Sequence, residues 1–479
     1  MDDFAEDFSD LLLPDERLVR RVRSVFEAVR RDPSSSLPVL LESDAPLQSA
    51  YRLLNNDRVT FEALHGAHAQ RSAERARAAG DVVVIHDTTD IETPYAEPSD
   101  VGYLNTGRVG YRAHVSLAIT VQSNRCPMPF GVISVQTDFR AEPPQYGRKK
   151  KAARSKGGGA TARSTTKAYL RWQRGIEASG EVLGYCPSII HVADREADSF
   201  PLFCKVEELG HGAVFRIRND RRARPAHDEI DNPWSLLSEI ASGLEGQCER
   251  MVPLSKRGDK GPPVGRKDHP PREARGARLQ YSATRVELKR PHYAPATLPE
   301  SLELWLVRAW EPNPPQGQAP IDWLLLTTEP CETAQDILRV VDLYRARWII
   351  EEFFKALKTG CLIQERQFES RHALLNILAI FLPIAVQLLW VLTCAREAPK
   401  AHAVLAFTPL QLVVLKHLSH ASLPDSPTVA DAYWSLAKLG GHLTRNGAPG
   451  WQVLGRAYAR LVEATATWKV ATQIARAEM

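Results

Sequence analysis

Three carboxylates define the chemistry open to this chain. Glu351 sits in YRARWIIEEFFKALKTG, residues 344–360, where two adjacent glutamates stand in a run otherwise aromatic, apolar and basic. At about 100° per residue, Leu343, Ala346, Ile350, Phe353 and Leu357 share one helical face and would pack into a core. Tyr344, Arg347, Glu351, Lys355 and Lys358 fall in a second stripe roughly 80° wide. Glu351 lies near its middle, whereas Glu352 points away, near Arg345. One reading is an i,i+4 ladder of Arg347, Glu351 and Lys355 on a solvated face. The other brings Glu351 to further carboxylates. Asp87 ends VVVIHD and Asp194 ends SIIHVAD, each where an apolar strand runs out. Carboxylates at strand ends can converge at one edge of a sheet, and a cluster of three repels unless it shares a cation. Hard oxygen ligands suit Mg2+ or Mn2+ rather than zinc. Two such ions roughly 4 Å apart can activate water and steady the leaving oxygen in phosphodiester cleavage. The cations of the stripe would then hold backbone phosphates.

Placing these groups calls for a strand before each aspartate and a helix under the glutamate. The 479 residues, 44% apolar and 25% charged, give ample length for a large core in a globular chain. A net charge of +4 is small, so only clustered charge bears on partners. Seven cysteines without a CxxC pair argue against a zinc site and a disulfide framework, and fit a reducing cytoplasm. The opening MDDFAEDFSD lacks a basic-then-apolar pattern, so no export is expected. Ala373 to Ala395 carries no charge and has the length of a membrane span. Pro383, Asn376 and Gln387 interrupt it, and charge flanks it on both sides, so it reads as a buried core helix.

Residues 1–80 read as helical, with Leu18, Val22, Val25 and Val29 on one face of the first helix. Arg17, Arg20, Arg21 and Arg23 lie mostly off that face and are either solvated or phosphate-contacting. From residue 81 the pattern turns to strands, with AHVSLAITVQ and FGVISVQTDF pairing as a hairpin. A Gly- and Lys/Arg-rich stretch follows and reads as a loop; its segment 148–167 holds no acidic residue and is expected to grip target or flanking DNA. Residues 221–320 read as a β-rich insertion. Thr333 then caps a single long helix through Gly360, and everything after Arg371 reads as helical.

These motifs resemble the DDE cut-and-paste transposases of the insertion-sequence-four family. That family's signature of Tyr, two residues, Arg, three residues, Glu, six residues and Lys is met by Tyr344, Arg347, Glu351 and Lys358. DTT at Asp87 to Thr89 and DREAD at Asp194 to Asp198 match its other acidic motifs in order. WLLLTTEP from Trp323, AYRLLNNDRV near the start, and AKLGGHL followed by PGW near the end extend the likeness over most of the chain.

The resemblance implies an α/β fold: an RNase H-like catalytic core at 81–370 carrying the β-rich insertion. It implies helical flanks, 1–80 for DNA binding and 371–479 for dimerisation. Asp87, Asp194 and Glu351 would hold two Mg2+ ions, with Mn2+ able to substitute. Tyr344, Arg347, Lys355 and Lys358 would contact DNA. Trp323 would fill the gap left by a flipped base, unless it is a core tryptophan, and Arg218 or equally Arg216 would contact DNA nearby. The implied partners are double-stranded transposon ends and target DNA, with a homodimer in the synaptic complex, no membrane, and a nucleoid-associated cytoplasmic location. The implied reaction nicks the transposon end, attacks the opposite strand with the freed 3′-hydroxyl to form a hairpin, opens it, and joins the ends to target. A non-catalytic DNA-binding descendant is disfavoured by the intact carboxylates, and a different metal-dependent nuclease with the same core, such as a repair or junction enzyme, by the N-terminal and C-terminal matches.

Overall fold

A computed structural model of the chain describes residues 4–41, 43–120, 127–143, 160–226, 233–258, 271–418 and 423–477. The first part holds α1 (Glu16–Arg31), α2 (Leu37–Leu41), α3 (Asp44–Leu54) and α4 (Phe61–Ala79), then β1 (Asp81–Glu92), α5 (Pro98–Val101), β2 (Gly110–Thr120) and β3 (Met128–Asp138). The middle follows with α6 (Ala160–Leu183), β4 (Ser188–Ala193), α7 (Phe200–Glu208), β5 (Gly212–Arg216), β6 (Arg222–Pro225), β7 (Ser235–Leu236), α8 (Leu237–Ser242), β8 (Cys248–Leu254), β9 (Arg275–Lys289), β10 (Ser301–Trp310) and β11 (Asp322–Thr327). The last part runs through α9 (Ala334–Ala346), α10 (Ile349–Lys355), a π-helical turn at Ala356–Gly360, α11 (Arg371–Glu397), α12 (Pro409–Leu418), α13 (Val429–Leu439) and α14 (Trp451–Ala477).

The chain divides into two compact units. The first combines residues 1–157, 174–187 and 348–479, so it is built from both ends of the sequence. Its strands run antiparallel in the order β3-β2-β1. Its centre is α11, which packs on α4 and β3 and is met by α13 and α14. Among the described residues α11 is the one helix long and apolar enough to cross a membrane, but nearly all of it is buried inside the protein. Asn376, within it, donates from Nδ2 to the carbonyls of Leu54 at 3.0 Å and Val59 at 2.7 Å. On α1 the expected face of Leu18, Val22, Val25 and Val29 is buried. Arg23, however, is spent on structure, holding the Phe8 and Ser9 carbonyls of the first turn.

The second unit, residues 158–173 and 188–347, is a mixed sheet in the order β4-β5-β11-β10-β9-β6-β7, with β8 also on β9. Among the described residues of this unit only β4 and β5 run parallel; the other pairs are antiparallel. Helix α9 packs against β4, β5 and β9. The β-rich stretch at 221–320 extends this sheet through β10, which pairs directly with β11.

Three expectations need correction. Asp87 does not end its strand: β1 continues to Glu92, paired with β2 from Asp87 opposite Val115 to Glu92 opposite Gly110. What changes at Asp87 is burial, from a continuous apolar run to alternation with Thr89 and Ile91 buried, so the strand goes on with one face covered. The helix expected from Thr333 to Gly360 is broken: α9 ends at Ala346, and the chain passes through Arg347 and Trp348 before α10 begins. Thr333 does cap α9, in a capping box with Asp336. The basic loop is shorter than read, because helix α6 starts at Ala160; its residues 148–159 lie outside the described residues.

Candidate active site

In the first unit α10 packs on β1, which brings together the elements that carry Glu351 and Asp87. Both carboxylates are half-buried. Asp87 accepts the Thr88 amide at 2.7 Å on Oδ1, which orients its head. The neighbours of Asp87 along β1 point to the opposite face. There His86 is bonded through Nδ1 to the Ser116 hydroxyl at 2.9 Å, and Thr88 meets His114 Nδ1 at 3.0 Å. Burial first, then the nearby His114, holds His86 well below the usual histidine range. The face of the strand opposite Asp87 therefore carries hydrogen-bonded polar groups, with His86 neutral.

The two glutamates differ more than a helical wheel indicates. Glu352, expected near Arg345, is instead buried, accepting Lys355 Nζ at 2.8 Å and the Trp451 indole N–H at 3.1 Å. Lys355 is thus tied to Glu352 three residues back, so the expected Arg347–Glu351–Lys355 ladder is not how this lysine is used. Lys358 sits in the π-helical turn, where burial lowers its pKa while Asp90 and Glu92 of β1 oppose that shift. The five residues of the stripe divide between the two units. Tyr344 and Arg347 belong to the second unit, and Glu351, Lys355 and Lys358 to the first.

In the second unit Asp194 does follow the last residue of a strand, β4, and caps the turn Arg195–Ala197 by accepting the Glu196 amide at 2.8 Å. Trp323 lies on β11, partly exposed, with buried Tyr344 packed edge-on against it at 5.7 Å between ring centres. Arg216 stacks its guanidinium over the same indole at 5.5 Å. Beside this cluster opens a cavity of about 280 Å³ lined by Arg195, Arg216, Arg218 and Arg308 together with Asp220 and Asp322. Arg308 is partly neutralised by Asp322 at 3.0 Å. So of the two arginines left open by the sequence, both line the cavity and Arg216 also stacks on the tryptophan. A residue the motif reading missed is Asp198, the last of DREAD. It is buried, pairs with Arg221, and accepts the Arg218 and Asn219 amides at 2.7 Å each, so it fixes the loop that presents Arg218. The signal was present in sequence as the acid and the base of DREAD and RNDRR.

Within each unit, no three His, Cys, Asp or Glu side chains among the described residues are grouped to hold one ion. Asp87 and Glu351 lie in the first unit and Asp194 in the second. The donors themselves are all carboxylate oxygens, which fit a hard divalent cation and not zinc.

Residues 1–59 match the transposase DNA-binding family and residues 164–382 the transposase DDE domain family. The second match contains Asp194, Trp323 and Glu351, whereas Asp87 lies ahead of it. The mixed α/β layout is consistent with such a DDE domain, which is RNase H-like. The chain thus joins a transposase DNA-binding segment to a transposase DDE domain, and together they support a DNA transposase.

Proposed function

We infer that the protein is a cut-and-paste transposase of the insertion-sequence-four family, most like the Tn-five transposase. It would bind the inverted repeats of its element, cleave them through a hairpin, and join the 3′ ends to target DNA as a homodimer. The observation that carries this reading is the ordered set Asp87, Asp194 and Glu351 beside the two family matches, with α10 packed on β1.

The residues divide the work. Asp87, Asp194 and Glu351 are the groups that would hold Mg2+, with Mn2+ as a substitute. When bound, such ions lower the pKa of the attacking water and neutralise charge on the leaving oxygen. Half-burial of Asp87 and Glu351 leaves them accessible to a scissile phosphate while restricting competing water. Tyr344, Arg347, Lys355 and Lys358 would register the backbone. Trp323, already braced by Tyr344 and Arg216, offers a π-face to an extruded base, and the arginine-lined cavity beside it offers positive charge to the adjoining phosphates.

The test is incubation of the protein with its own element ends in Mg2+, resolving nicked, hairpin and joined products. Glu351→Gln is expected to abolish nicking and retain end binding. Wild-type nicking by that variant would end the assignment of Glu351.

A further inference from the structure

The helix bearing Glu351 has only seven residues before it gives way to the π turn Ala356–Gly360. A segment this short has little stability of its own and must be held from outside. The C-terminal helices hold it at both ends. At its start, Glu352 is 8% exposed, and its Oε2 accepts the indole N–H of Trp451, the first residue of α14, at 3.1 Å. Arg396, in the last turn of α11, lies 3.6 Å from the same oxygen. At its end, Gly360 and Gly455 of α14 meet backbone to backbone. A Cβ on Gly455 would collide with the Gly360 carbonyl, and one on Gly360 would come within 3.1 Å of Leu388. Burying a carboxylate against a lysine, an arginine and an indole stabilises less than an apolar residue of similar size would. The arrangement makes sense as a device that fixes position.

We propose that Glu352 and Trp451 are positioning residues: α14 sets the height of Glu351 above β1, so the carboxylate pocket takes its geometry from a helix outside the matched DDE region. The proposal rests on Glu351 being a metal-holding carboxylate. Its reach is specific, because one hydrogen bond, to Glu352, separates Trp451 from the residue next to Glu351.

Two variants of the full-length protein test it. Trp451→Phe keeps the ring and removes the N–H; Glu352→Gln keeps an acceptor for the indole and removes the charge. Amide hydrogen exchange is read on peptides covering Trp348 to Gly360 without metal, alongside end-DNA affinity and nicking against Mg2+ concentration. Trp451→Phe is expected to speed exchange in that peptide about tenfold, and to raise the half-saturating Mg2+ concentration by about tenfold, with end-DNA affinity unchanged. Glu352→Gln should fall between it and wild type. Wild-type exchange and metal dependence in both variants would overturn the proposal. Glu351→Gln separates the two ideas: if it nicks normally, the metal role of Glu351 fails whatever the exchange rates show.

Discussion

Asn376→Leu probes how α11 is built into the first unit. Asn376 is fully buried in an otherwise apolar helix, and its single amide serves two carbonyls, Leu54 at 3.0 Å and Val59 at 2.7 Å. Leu54 ends α3, and Val59 precedes Thr60, the cap of α4. One side chain therefore closes the turn between two N-terminal helices, one of them inside the DNA-binding match. Leucine has the same branched skeleton, with bulkier methyl groups and no N–H. Two carbonyl oxygens would be stranded in apolar surroundings at about 1–3 kcal/mol each. The greater apolar character of leucine offsets roughly 1 kcal/mol of that. A net loss of about 2–4 kcal/mol is expected. Urea unfolding followed by far-UV circular dichroism would show a lower midpoint at unchanged slope. Stability within about 0.5 kcal/mol of wild type would refute the reasoning.

Asp198→Asn should cost about 3–5 kcal/mol, because it leaves the buried Arg221 guanidinium uncompensated; a second change, Arg221→Met, should recover much of the loss in the same unfolding assay. Stability should also fall in acid. Burial holds His65 and His68 at a pKa of about 3, and His68 Nε2 accepts the Val132 amide at 3.0 Å, so that ring is neutral with its proton on Nδ1 facing Asp7. The unfolded chain protonates both near pH 6.5, so their contribution is full above that pH. It declines as pH falls toward 3, by up to about 1.4 kcal/mol per pH unit for each histidine. A flat stability profile between pH 7 and 5 would contradict this. Trp323→Ala should slow hairpin formation more than the first nick, since about 1–3 kcal/mol of base stacking is lost only once a base is extruded; equal slowing on a denaturing gel would reject that role.

Strands whose apolar runs are bounded by polar residues were legible in the sequence, β4 with Asp194 at its end being the clearest. So was Thr333, because a capping box is a local signal. The extension of β1 past Asp87 was not, since it depends on a partner strand distant in sequence supplying backbone bonds to polar residues. The break at Arg347 was equally hidden. Both Arg347 and Trp348 keep helical torsions, so no residue there carries a stop signal. Glu352 was misplaced for the same reason: its partners, Trp451 and Arg396, lie far along the chain, and a helical wheel shows only neighbours within a few turns.

The first unit is completed by helices that lie far along the sequence from its strands. α11 can settle on α4 and β3 as it emerges, but α13 and α14, which close over it, are synthesised afterwards. A ribosome adding about 5–20 residues per second thus leaves a greasy surface uncovered for several seconds. Nascent chains, and any message truncated before Trp451, should be chaperone clients with a strong tendency to clump. Expression yield would accordingly depend on how fast the codons for α13 and α14 are translated.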